Sequence, residues 1–83
     1  MDDKNTKLYG QETAEHNTKQ DIINLVYVAL SERGYNAIDQ MVGYILSGDP
    51  SYITSHRNAR NIITRVDRDD LIEELLSNYL GKK

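Results

Sequence analysis

Gly34-Tyr35-Asn36-Ala37-Ile38-Asp39-Gln40-Met41-Val42-Gly43-Tyr44-Ile45-Leu46-Ser47-Gly48-Asp49-Pro50-Ser51-Tyr52-Ile53 writes one helix together with the signals that close the helix before it and open the turn after it. Gly34 suits the left-handed position that ends a preceding helix. Asn36 is an N-cap with Asp39 three residues on, and Gly48 is the stop. Asp49 then caps a further turn led by Pro50, whose missing N–H falls where no helical acceptor exists. Between these signals, over about residues 37–47, Ile38, Met41, Val42, Ile45 and Leu46 share one face, while Gly43 and Tyr44 fall outside it. A glycine inside a helix costs about 1 kcal/mol relative to alanine, so Gly43 predicts close approach by another backbone.

On the N-terminal side, Thr18 and Asp21 have the spacing of a capping box for a helix running to about Arg33. Ile22, Ile23, Leu25, Val26, Tyr27, Ala29 and Leu30 cover an arc of roughly 200° of it, about twice the stripe that a surface helix needs, and Val28 lies outside even that arc. Such a helix must be covered on two sides, either by its own chain or by a second copy. Residues 1–16 are polar and aperiodic and predict a mobile tail, with Leu8 and Tyr9 as its only bulky apolar residues after Met1. It carries Thr6 and Thr13.

On the C-terminal side, Ser51 to Ile53 predict a short turn of helix that packs Tyr52 or Ile53 inwards. A third helix is expected over about Ser55–Val66, with Ala59, Ile62, Ile63 and Val66 on one face and Arg57, Arg60, Asn61 and Arg65 on the other. A last helix starts at Asp67, with Asp70 three residues on. It presents Leu71, Ile72, Leu75, Leu76, Tyr79 and Leu80, and stops at Gly81 before Lys82 and Lys83. The reading is an all-α protein: a compact bundle of about four helices with one extra turn over residues 17–81, a disordered N-terminal tail, and residues 82–83 as its end.

Eighty-three residues allow one small domain. With no cysteine there is no disulfide and no thiolate metal site, which suits a reducing cytoplasm. The longest apolar run, Leu25 to Leu30, is too short to span a bilayer, and the charged N-terminus lacks the apolar core of a signal peptide. The chain reads as cytoplasmic, with no membrane partner.

Thirteen acids against ten bases give a net charge of −3, which works against indiscriminate nucleic-acid binding. Within that balance, residues 54–66 hold Arg57, Arg60 and Arg65 and no acid, whereas residues 67–80 hold five acids against Arg68.

Chemistry-bearing patterns are sparse. His16 and His56 are far apart and form no metal-ligand pair, and the sequence gives no motif for a cofactor. Asp67, Asp69 and Asp70 begin like a calcium loop but lack its glycine and distal glutamate, so they fit the positive end of the last helix instead. No phosphate-cradling glycine loop and no nucleophile elbow occurs. The helical pair over Thr18–Ser47 has the outline of a DNA-reading motif, but its second helix contains no Lys or Arg. These absences leave no residue to assign as catalytic, and the chain reads as not an enzyme. The arginines are the remaining candidates. Arg57 and Arg60, three apart with Arg65 on the same face, have the spacing to receive a phosphoryl group or a partner.

The sequence resembles the IreB family of small proteins from low-GC Gram-positive bacteria. The resemblance is carried by Gly34-Tyr35-Asn36, the run Asp39 to Ile53, Ala59-Arg60-Asn61, Arg68 to Leu75 and Tyr79-Leu80. It implies a non-enzymatic, homodimeric helical phosphoprotein of the cytosol, modified on threonine in its tail by a transmembrane Ser/Thr kinase with PASTA repeats. It also implies an opposing phosphatase, a downstream protein, and a role in envelope-stress and β-lactam-tolerance signalling. The family pattern, a threonine just before an aromatic or apolar pair, fits Thr6-Lys7-Leu8-Tyr9 best, with Thr13 in surroundings that do not match. The chain departs from the pattern in having Ala37 where proline is common. An adaptor for a protein or nucleic-acid partner is the alternative.

Overall fold

The structure, a computed structural model, describes residues 18–82. The predicted tail, with Thr6 and Thr13, and Lys83 lie outside them. The described chain is all-α: α1 (Lys19–Glu32), α2 (Ala37–Ser47), a 3-10 turn (Pro50–Tyr52), a second 3-10 segment (His56–Asn58) leading into α3 (Ala59–Ile63), and α4 (Arg68–Leu80).

The local signals act as their chemistry dictates. Thr18 and Asp21 form the capping box, with Asp21 N–H donating to Thr18 Oγ1 at 3.1 Å. At the other end of α1, Gly34 at φ +84° lets its own N–H reach Ser31 O and the Tyr35 N–H reach Leu30 O, which satisfies two carbonyls of the last turn. Asn36 Oδ1 accepts from Asp39 N–H at 3.1 Å, and Asp49 Oδ1 accepts from Ser51 N–H at 3.0 Å. Asp67 occupies the N-cap of α4 without a side-chain capping bond; the Asp70 N–H is taken instead by Asp69 Oδ1.

Helix α1 is the axis, packed against α2, α3, α4 and the His56–Asn58 segment of its own chain. Val26, Ala29 and Leu30 are fully buried with Ile53 and Ala59, and Ile63 and Leu71 nearly so. Of the two ways to cover this helix, wrapping by its own chain accounts for most of its apolar arc, while Tyr27 and Val28 stay exposed.

Two expectations are corrected. The face of α2 that enters the core is Ala37, Met41 and Tyr44, so that of the apolar stripe only Met41 is buried: Tyr44 is 5% exposed, whereas Ile38 is 60% and Leu46 79% exposed. The reason is a contact within the quoted stretch. The Tyr52 ring, a side chain and not the backbone expected there, lies over Gly43 so closely that a Cβ there would sit 2.5 Å from Tyr52 Cε1, and Gln40 Nε2 donates to Tyr52 O at 3.0 Å. That contact joins α2 to the Pro50–Tyr52 turn and fixes which face looks inwards.

The expected helix over Ser55–Val66 is also broken. Arg57 and Asn58 hold φ of +56° and +61°, so the α-helix proper begins only at Ala59, and Thr64 to Val66 leave it through tight hydrogen bonds. Its apolar set still points inwards, with Ile62 and Val66 packed at the core edge. In α4 only Leu71 is fully buried; Ile72, Leu75, Leu76, Tyr79 and Leu80 remain exposed.

These placements set the stabilities. Leu30→Ala is expected to cost about 2–5 kcal/mol by leaving a core cavity, against less than about 0.5 kcal/mol for Leu46→Ala at the surface. Gly48→Ala, forced into a left-handed conformation and against the Arg68 guanidinium, should cost about 1–2 kcal/mol. Urea unfolding of the three variants at low protein concentration checks the order.

Candidate functional site

Two surface features combine residues from separate elements. The first is a charged cluster at the C-terminal end of α1. Glu32, the last residue of that helix, receives Arg57 Nε at 2.6 Å on Oε1 and Arg57 Nη2 at 2.9 Å on Oε2. His56 Nε2 lies 2.9 Å from Oε1, the spacing of a hydrogen bond donated by the Nε2–H tautomer or by the imidazolium. The positive φ of Arg57 and Asn58 turns the chain here, and half-exposed Arg57 meets a carboxylate 40% exposed.

The hydrogen bond from Arg57, followed by that from His56, holds the Glu32 carboxyl down at about 2, and Glu32 in turn raises the Arg57 pKa. The arginine stretch that is free of acids in sequence therefore acquires one in space.

The predicted arginines do not converge on one point. Arg57 is engaged by Glu32, whereas Arg60 Nε donates to Ile53 O at 2.8 Å and lies toward Asp49. The Asp49 carboxyl is held below its ordinary pKa mainly by the Ser51 backbone N–H, with Arg60 adding a smaller charge effect. Arg65 is exposed at the end of α3. A fourth arginine is structural: Arg68 Nη1 donates to Ile45 O at 3.0 Å, and its guanidinium lies against Gly48, closing the end of α2.

Glu32 and His56 went unread as site residues in the sequence. The available signal was an acid in the last turn of a helix, where the dipole disfavours negative charge. At the start of α4, the carboxylates of Asp67, Asp69 and Asp70 come within 4.8 Å of one another.

The second feature is an apolar groove of about 210 Å³ between α1, α2 and α4, lined by Ile23, Tyr27, Ile38, Val42, Ile45 and Leu75. It follows from the orientation of α2, since Ile38, Val42 and Ile45 of its apolar stripe form one wall. No helix among the described residues is long and apolar enough to cross a membrane.

The model of the IreB regulatory phosphoprotein family matches residues 4–81. The chain belongs to the IreB family. It is 49% identical over 76 residues to a UPF0297 protein from Lachnoclostridium phytofermentans, covering 92% of this chain and 86% of that one. It is 51% identical over 75 residues to another from Ruminiclostridium cellulolyticum, covering 90% and 85%. A third, from Clostridioides difficile, is 57% identical over 63 residues, covering 76% and 74%. Membership in the IreB family gives the chain a regulatory role, and the family is described by regulation rather than by catalysis.

The Glu32 contact has a defined pH signature. Because its folded pKa lies below the ordinary 4.5, the stability it contributes is present above that value and is lost as pH falls through about 2. Carboxyl NMR titration should place Glu32 near 2 in the wild type, and Arg57→Gln should move it back toward 4.5.

Proposed function

We infer that this protein is a non-enzymatic cytoplasmic regulator switched by threonine phosphorylation in its N-terminal segment, with Thr6 as the principal acceptor and Thr13 as the secondary one. The writer is a PASTA-type transmembrane Ser/Thr kinase, the eraser its phosphatase, and the output a downstream protein in envelope-stress and β-lactam-tolerance signalling. The observation that carries this reading is the extent of the family match. A family of regulatory phosphoproteins aligns from residue 4, so the alignment includes Thr6-Lys7-Leu8-Tyr9 as well as the helical domain. A phosphate there adds about −1.5 to −2 charges at pH 7, enough to redirect the segment toward cations such as Arg57, Arg60 and Arg65.

The apolar groove supports the second part of the reading, self-association. Exposed apolar faces of this kind mark interfaces, and a second copy presenting Ile38, Val42 and Tyr27 across a two-fold axis is self-complementary. The groove also suits a protein partner of the adaptor alternative. A nucleic-acid partner has less behind it, because the net charge is −3 and Arg57, Arg60 and Arg65 do not converge on one point.

Intact-mass and peptide mapping of the protein from its own cells should find phosphate on Thr6 that is absent without the kinase and absent in Thr6→Ala. An unmodified Thr6 under envelope stress overturns the switch. Separately, Val42→Glu should convert a dimer to a monomer by light scattering while preserving helicity; a wild-type monomer overturns self-association.

A further inference from the structure

Glu32 and Arg57 are each unfavourably placed by local rules. Glu32 ends α1 at the negative pole of the helix, and the residues one turn before it, Val28 and Ala29, offer it no cation. Arg57 lies in the left-handed region, which long side chains seldom adopt, and Asn58, a residue that tolerates it, follows there. The meeting of Glu32 and Arg57 is a half-exposed ion pair, a kind of contact whose contribution to stability is small against the cost of the two placements. Strained backbone that persists without a stability reason is a mark of function.

The assembled group has a definite chemistry. The Arg57 fork grips both oxygens of one anion, and His56 Nε2 adds a third contact to the same anion. A fork that holds a carboxylate through Nε and Nη2 offers the same two parallel donors to a phosphoryl group, which brings one more oxygen and nearly twice the charge.

We propose that Arg57 and His56 form a phosphate-monoester site whose resident anion is the Glu32 carboxylate, displaced when phosphothreonine arrives on the N-terminal segment. This rests on the reading that Thr6 is phosphorylated. The tethered carboxylate competes with free phosphate and weakens its binding, because a covalently held competitor acts at high effective concentration. A phosphothreonine on the same chain, or on a second copy, is tethered too and carries more charge, so it wins where dissolved phosphate does not. Displacement leaves the Glu32 carboxylate without its Arg57 and His56 partners at the end of α1.

The test uses the full, unphosphorylated chain, titrated with inorganic phosphate and with a synthetic peptide of residues 1–17 phosphorylated at Thr6. Binding is followed by NMR of the Arg57 Nε–H and the His56 ring. Glu32→Gln, which keeps the side-chain shape, should bind both probes about three- to tenfold more tightly than wild type, the range expected from removing an exposed ion-pair competitor. Arg57→Gln in the Glu32→Gln background should abolish binding, with helicity checked by circular dichroism. Equal affinity of wild type and Glu32→Gln, binding that survives loss of Arg57, or equal binding of the unphosphorylated peptide overturns the site. A cell in which Thr6 is never modified would leave a positive titration standing, so the two readings fail separately.

Discussion

Everything else in this protein depends on covering α1. Its buried side, Val26, Ala29 and Leu30, is removed from water by Ile53, Ala59, Ile63 and Leu71, contributed by a turn and two helices that follow much later in the chain. Two alanines at full burial, Ala29 and Ala59, leave room for α3 to approach closely, so a helix of only five residues closes the core. Burial of apolar area is the main term holding so small a domain together, and it operates on few side chains. Eleven apolar residues form the core, while twelve large ones among the described residues stay exposed, so a single copy does not bury all the apolar surface it carries.

That shortage explains why the segment between Gly34 and Ile53 is so constrained. Gly43 admits the Tyr52 ring, and Gly48 admits the Arg68 guanidinium, each at a distance that any Cβ would violate. Gln40 and Arg68 then tie the Pro50–Tyr52 turn and α4 to α2 through backbone carbonyls. These contacts substitute directed hydrogen bonds for the apolar burial that a larger core would supply. Their by-product is the orientation of α2, which turns Tyr44 inwards and leaves Ile38, Val42 and Leu46 facing out.

Both candidate surfaces follow from this geometry. The groove exists because α2 is held by its less apolar side, and the charged cluster exists because α3 cannot begin until Arg57 and Asn58 have turned the chain beside the end of α1.

The sequence by itself determined the helices, their caps and most of their ends, because those depend on contacts within a few residues: Thr18 with Asp21, Asn36 with Asp39, Asp49 with Ser51, and the left-handed glycines. It also carried the family, through motifs that are contiguous in the chain. The tertiary structure alone decided which face of α2 is buried, where the helix expected over Ser55–Val66 breaks, and which arginines remain free. Each depends on residues brought together over intervals that periodicity does not measure, such as Gly43 with Tyr52 and Glu32 with Arg57. A hydrophobic stripe identifies what can be buried, but shape and close approach select among the faces available. Charge counted along the chain is likewise blind to an acid that arrives from twenty-five residues away.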